Sequence, residues 1–246
     1  MKRSDLVNYL NDFLNVDQYK DYAPNGLQVE GVEKVYTIVT GVTACQALID
    51  EAIKVKADAI LVHHGYFWKN EPLPIVGVKQ KRIKSLLVND INLLGYHLPL
   101  DGHAEVGNNA QLGMLWQLED ITPEPGLLRL GRLQEVMTIS AFKQLVSDSL
   151  GREVLHLPGG RELVQTIAWC SGGAQHYITE AAVWGADVYI SGEVSEQTTH
   201  LAKELSVHYF SAGHHATECL GIQRLGEHLS ERFKLMHYHI DIANPV

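Results

Sequence analysis

An α/β fold made of two similar lobes is what this sequence predicts, on three observations. The chain repeats itself at a fixed offset. Each copy alternates a buried, strand-like run with an amphipathic helical run, the order expected of βαβ units and a largely parallel sheet. Polar residues able to do chemistry gather where the buried runs stop, which in open α/β sheets is where ligands bind.

The elements follow in chain order. In MKRSDLVNYLNDFLNV, Leu6, Tyr9, Leu10, Phe13 and Leu14 recur at helical spacing, and no apolar h-region follows the basic start. This predicts an amphipathic helix and not a signal peptide. The first copy, residues 38–65, reads IVTGVTACQALIDEAIKVKADAILVHHG. It contains a strand with Val39 and Val42, a helix with Ala47, Leu48, Ala52 and Ile53 on one face, and a buried strand ending in His63 and His64. A helix with Leu86, Leu87 and Val88 then leads to a third strand in INLLGYHLPLD.

Residues of about 121–165 break this pattern. They hold TPEPG, LPGG and the amphipathic ISAFKQLVSDSLGREV, and predict a helix-containing connection. The second copy, 167–193, reads IAWCSGGAQHYITEAAVWGADVYISGE. Glu51-Ala52 matches Glu180-Ala181 and Ala57-Asp58 matches Ala186-Asp187, both at an offset of 129 residues. EQTTHLAKELS and VHYFSAGHHATE supply its next helix and strand. KLMHYHIDIANPV alternates His237, His239 and Asp241 against Tyr238, Ile240 and Ile242, as a last strand does. The expected organisation is a single domain, with lobe one over about 1–120, the connection over about 121–165, and lobe two over about 166–246.

Composition excludes several function classes. The formal net charge is −9, which argues against a basic stripe for a nucleic-acid backbone. No window approaches 18 consecutive apolar residues, so no membrane span is expected. Cys45, Cys170 and Cys219 are widely spaced, with no CxxC, which predicts reduced thiols in a cytoplasmic protein.

Most of the 13 histidines have ordinary explanations. His156, His176, His200, His208 and His228 are assigned to surface or routine hydrogen bonding, and His237 and His239 to the structure of the last strand. His103 is a candidate support beside a ligand. The matched ends of the two copies carry the signal. His97 and Asp101 form H-x-x-x-D, and His214 and Glu218 form H-x-x-x-E, 117 residues later. A four-residue spacing puts both groups on one face of a helical turn. His63 and His64 end the preceding strand of the first copy, where Gly192 and Glu193 end that of the second. His214 is preferred over His215 because only His214 has the spacing to Glu218. Imidazole with carboxylate suits zinc, manganese, iron, cobalt or nickel, and disfavours an all-oxygen magnesium or calcium site.

With DYAPNGLQVEG at 21–31 and the SGEVSEQ segment, these motifs make the whole chain resemble the GTP cyclohydrolase 1 type 2 homologues, or NIF-three-like family. The resemblance implies a NIF-three-like fold with a metal cleft between lobes, two divalent transition-metal ions per subunit, and a toroidal homo-hexamer. It places metal ligands at His63, His64, Asp101, His214 and Glu218. Glu218 would bridge, His64 and Asp101 would complete one shell, and His63 and His214 the other. The symmetry of the two copies adds His97, as a group to orient a ligand or a water, and His97 and Glu193 are the candidate catalytic proton carriers of the cleft. Tyr66, Phe67 and Trp68 are candidates to stack on a planar substrate.

The expected activity is metal-dependent, cyclohydrolase-like hydrolysis of a nucleotide or related heterocycle. The alternatives are a non-enzymatic metal-binding or interaction protein, and a DNA-associated ring, against which the acidic charge counts. No membrane partner is expected.

Overall fold

The computed structural model describes residues 1–246 and has mixed α/β architecture with two sheets. The chain divides into two units, residues 1–107 with 221–243, and residues 108–220 with 244–246.

The first unit begins with α1 (Arg3–Phe13), which buries Leu6 and Leu10. Strands β1 (Gly26–Val29) and β2 (Thr37–Thr43) precede α2 (Gln46–Lys54) and β3 (Ala59–His64); α3 (Gly77–Val88), β4 (Asn92–Gly95) and the short α4 (Leu98–Gly102) follow. α2 buries Leu48, Ile49 and Ala52 in one cluster with Ile60 and Val62 of β3. Full burial of each large aliphatic contributes about 2 kcal/mol, so Leu48→Ala should cost about 3 kcal/mol once the cavity is included.

The second unit holds α5 (Asn108–Leu115), β5 (Glu119–Asp120), β6 (Arg129–Thr138), α6 (Ile139–Leu150), β7 (Leu155–Leu157), β8 (Leu163–Cys170), α7 (Ile178–Val183), β9 (Val188–Ser191), α8 (Thr198–Glu204) and β10 (His208–Ser211). The long α9 (His214–Phe233) begins in this unit, and the unit boundary falls within it. The last strand, β11 (Met236–His239), belongs to the first unit.

The first sheet has the order β1-β4-β3-β2-β11, and the second β5-β6-β8-β9-β10-β7. In each sheet the three strands of the repeat run parallel, β2-β3-β4 and β8-β9-β10. Their registers agree to the residue: Ile38 lies beside Ala59, and Ile167 beside Val188. The acidic residue shared by the copies explains part of this agreement. Asp58 Oδ2 accepts the backbone N–H groups of Tyr36 and Thr37, both at 2.8 Å. Asp187 Oδ2 accepts those of Gln165 and Thr166, both at 2.9 Å. Each aspartate thus clamps the start of its neighbouring strand and satisfies donors that the sheet leaves over.

The expected parallel strands gain antiparallel neighbours, except at the β11 edge, which pairs parallel with β2. β1 pairs antiparallel with β4, β6 with β8, and β7 with β10. Residues 121–165, expected as a helix-containing connection, do supply the helix α6, capped by the Thr138 hydroxyl at one end and Gly151 at the other. They also supply β6 and β7 to the second sheet. The register of β6 shifts between Arg132 and Met137, which breaks the period-two pattern that marks a strand in sequence.

No disulfide links the three cysteines. No helix is long and apolar enough to cross a membrane.

Candidate metal centre

In the first unit the chemistry collects at the carboxyl ends of β3 and β4. Strand β3 is buried up to His63, which is 1% exposed, and His64 is half-buried at its end. Gly65 follows because Gln28 occupies the space a side chain would need: an added Cβ would lie 2.1 Å from Gln28 Oε1. That same oxygen accepts the Tyr66 N–H at 2.7 Å, turning the chain immediately after the histidine pair.

The Nδ1 of His63 lies 3.0 Å from the Tyr96 carbonyl oxygen. A carbonyl only accepts, so Nδ1 carries the proton and the Nε2 lone pair is left for a Lewis acid. That Nε2 is 3.6 Å from Asp101 Oδ1. His97 stands just ahead of α4, and Asp101 N–H donates to the His97 carbonyl at 3.1 Å, so the H-x-x-x-D spacing is one helical turn. One ring nitrogen from each of His63, His64 and His97 falls within 4.8 Å of the others. The His64 Nδ1 is 3.4 Å from the Thr43 hydroxyl.

A residue missed in the sequence reading holds His97 in place. Asp21 Oδ1 is 2.9 Å from His97 Nδ1 and accepts the Ala23 N–H at 3.0 Å. Its Oδ2 accepts from Leu98 N at 2.9 Å and Asn25 Nδ2 at 3.0 Å. Burial works to raise the Asp21 pKa, but the bonds from His97, Asn25 and Ala23 outweigh it and hold the carboxyl at about 2. A permanently charged acceptor on Nδ1 directs the other nitrogen of His97 away from Asp21. Asn25 Oδ1 also accepts the His97 N–H at 2.7 Å. The D-x-x-x-N spacing of Asp21 and Asn25 was the available signal, inside a motif quoted only for its family likeness.

In the second unit His214 begins α9, and its Nε2 lies 3.1 Å from Glu218 Oε1 one turn later. Its Nδ1 is 2.7 Å from Glu193 Oε1. Burial disfavours the imidazolium, but the bonds and charges of Glu218 and Glu193 outweigh it and raise His214 to about 9. The protonated Nε2 faces Glu218 Oε1, and a cation held by this pair would replace that proton. Glu193 therefore positions His214 rather than standing apart as a proton carrier.

Glu218 is 2% exposed, and the loop beside it is shaped to admit it. Gly172 has φ +65°, and an added Cβ would lie 2.2 Å from Glu218 Oε1. The loop is pinned by Gly172 N–H to the Thr217 hydroxyl at 3.0 Å, and by the Ser191 hydroxyl to the Gly172 carbonyl at 3.0 Å.

The remaining candidates sort by contact. Tyr66 is buried and its hydroxyl donates to the Ala44 carbonyl at 2.7 Å, so it is a core residue and not a stacking face. His103 packs on Phe13 with ring centroids 4.4 Å apart, and its Nδ1 accepts the N–H groups of Glu105 and Val106. It caps a turn rather than supporting a ligand. His237 and His239 both reach the Thr40 hydroxyl, at 2.8 and 3.0 Å. His156 and His208 bond to each other at 3.1 Å.

Each unit thus brings imidazole nitrogen and carboxylate oxygen to within 3.6 Å or less, with the outer ring nitrogen held by a fixed acceptor. This donor chemistry fits a divalent transition metal. Asp101 is within reach of His63, whereas the resemblance pairs it with His64.

Comparison with known proteins agrees over the whole length. The chain is 52% identical over 247 residues to the GTP cyclohydrolase 1 type 2 homolog of Yersinia pestis, covering 100% of both. It is 50% identical over 246 residues to that of Escherichia coli K12, again covering 100% of both. Among solved structures it resembles the protein ybgI, with 51% identity, a TM-score of 0.97 and full coverage of both chains. It also resembles TTHA1606 from Thermus thermophilus, with 33% identity, a TM-score of 0.93 and full coverage of both. The Duf34/NIF3 (NGG1p interacting factor 3) family pattern matches residues 1–245, and the chain belongs to that family.

Proposed function

We infer that the protein is a metal-dependent hydrolase of a nucleotide or related heterocycle, in which the donors of both units form one dinuclear centre in a cleft between lobes. The observation that carries this reading is the paired imidazole–carboxylate geometry, His63 with Asp101 and His214 with Glu218. In this reading His63 and Asp101 would hold one ion, His64 and His214 the other, and Glu218 would serve both. The name shared by the relatives from Yersinia pestis and Escherichia coli supports the cyclohydrolase-like class.

A pair of divalent ions supplies Lewis acidity toward water and toward the charge that develops during its attack. The chain supplies the rest. Asp101 and Glu218 offset part of the cationic charge. Tyr96, through its carbonyl, and Glu193 hold His63 and His214 in the ligating tautomer. His97, fixed by Asp21, presents its second nitrogen as the proton-handling group. The reading includes a homo-hexameric ring and a cytoplasmic setting, the former on the family likeness and testable by light scattering of the metal-loaded protein.

The decisive test is turnover. Metal-reconstituted wild type and a His63→Ala/Glu218→Ala variant are incubated with a panel of purine and pyrimidine nucleotides, and products are followed by mass spectrometry. Conversion by wild type alone is the expected result. Equal background from both proteins with every compound would remove the hydrolase reading.

A further inference from the structure

Beside His64 and His97 the first unit builds an aromatic rim that its core does not require. Trp68 lies 5.0 Å from the His97 ring at an interplanar angle of 77°, and 5.8 Å from the His64 ring. Tyr22 lies 5.0 Å from His97 at 75° and 5.5 Å from Trp68. Tyr22 is 55% exposed, so burial of its own ring explains little of its placement.

The rim is held rigidly. The Trp68 indole N–H donates to the Gly65 carbonyl at 3.1 Å, which fixes its plane. Glu71 Oε2 accepts the backbone N–H groups of Phe67 at 2.5 Å and Trp68 at 3.2 Å. Phe67 is forced to φ +65°, a left-handed conformation costly for an aromatic residue. The Lys69 N–H donates to the Tyr22 carbonyl at 2.9 Å, so the two loops bearing Trp68 and Tyr22 are tied together. The neighbouring aromatics are committed elsewhere: Tyr66 to the core, and Phe67 to Lys79, whose ammonium sits 4.9 Å from its ring centroid. Strained backbone and a clamped loop thus set the two aromatic faces of Trp68 and Tyr22 next to the imidazoles of His64 and His97.

We propose that Trp68 and Tyr22 form the recognition wall for the planar ring of the substrate, a purine-sized heterocycle that stacks on the indole with its polar edge turned toward His64 and His97. The proposal rests on the reading of the histidines as a metal centre and names the part of the ligand that the chain grips. Stacking needs a π face and no particular hydrogen-bond pattern, so the wall selects for a flat ring over a bare sugar phosphate and leaves choice among purines to other groups.

The test uses metal-loaded wild type, Trp68→Ala, Trp68→Phe and Tyr22→Ala, titrated calorimetrically with guanosine 5′-monophosphate and with ribose 5-phosphate. Metal content is measured in parallel. Trp68→Ala should retain its metal and bind the nucleotide about tenfold more weakly. Trp68→Phe should stay within about threefold of wild type, and ribose 5-phosphate should be indifferent to the ring at position 68. Equal nucleotide affinity in Trp68→Ala, an equal loss for ribose 5-phosphate, or no nucleotide binding by metal-loaded wild type would each overturn the wall. Nucleotide binding that depends on Trp68 without any turnover would keep the wall and discard the hydrolase. Turnover unaffected by Trp68→Ala would do the reverse.

Discussion

The two copies of the repeat share a backbone scheme and put different residues at its working positions. Asp58 and Asp187 clamp equivalent strand starts, and the first two strands match at an offset of 129. At that offset His64 corresponds to Glu193 and Thr43 to Gly172. In the first copy the strand end offers a nitrogen donor, with a threonine hydroxyl beside it. In the second, the equivalent residue is a carboxylate that reaches the Nδ1 of His214, and the threonine is replaced by a glycine that leaves room for Glu218. The role that Glu193 plays from within its repeat is played in the first copy by Asp21, from outside it. The lesson is that the repeat supplies positions, whereas which residue offers a ring nitrogen and which holds an imidazole in place was settled separately in each half.

This comparison can be broken, starting with the donors. Removing one from either copy, by His63→Ala or Glu218→Ala, should lower metal affinity more than about 100-fold, beyond the effect of removing a supporting group. Metal content after dialysis reads this, and undiminished metal in either variant would remove that residue from the proposed centre. Gly172→Ala comes next, because its Cβ would overlap Glu218 and its φ is left-handed. It should cost about 2 kcal/mol of stability in chemical denaturation and displace the carboxylate.

The two imidazole-holding carboxylates should behave alike if their roles are equivalent. Glu193→Gln is expected to weaken metal binding by about 10-fold to 100-fold. Asp21→Asn should lower turnover to a similar degree with metal content at the wild-type level, because the imidazole it holds handles a proton and does not ligate. Metal uptake should also release the His214 proton, tightening as pH rises toward 9, and calorimetry in buffers of different ionisation enthalpy measures that release.

Asp21 also contributes to stability, in a way that depends on pH. Its pKa is depressed from 3.8 to about 2, so its contribution is fully present above about pH 4 and is lost as pH falls through about 2. Against Asp21→Asn, wild type should keep an advantage of about 2 kcal/mol at neutral pH that shrinks through that window. Thr43→Ala should be the mildest, within about threefold in metal affinity, because a 3.4 Å contact contributes little.

The residues that meet in the imidazole–carboxylate pairs were readable in advance because their signals are short-range. A strand followed by HHG, and a histidine four residues ahead of a carboxylate, each sit within a few positions, and the repeat supplied the alignment. The third strands match at 116 rather than 117, since Asn92 lies beside Ala59 and His208 beside Val188. The extra residue is Gly213, whose N–H donates to the Gly192 carbonyl at 2.9 Å before His214 begins its helix. Counting from the histidines absorbed that insertion without exposing it. β6 was not readable, because its register shift scrambles the alternation on which strand recognition depends.

The sequence by itself determined the repeat, the element types within it and the polar strand ends, because hydrophobic period and i, i+4 spacing are local properties of a chain, and the family came from the resemblance of its motifs. Tertiary structure alone decided that β11 pairs with β2, that Asp21 reaches His97 across 76 positions, and that Tyr22 rather than Tyr66 stands beside Trp68. Those outcomes depend on how far-separated segments pack, and contacts of that range leave no periodicity in the sequence to detect.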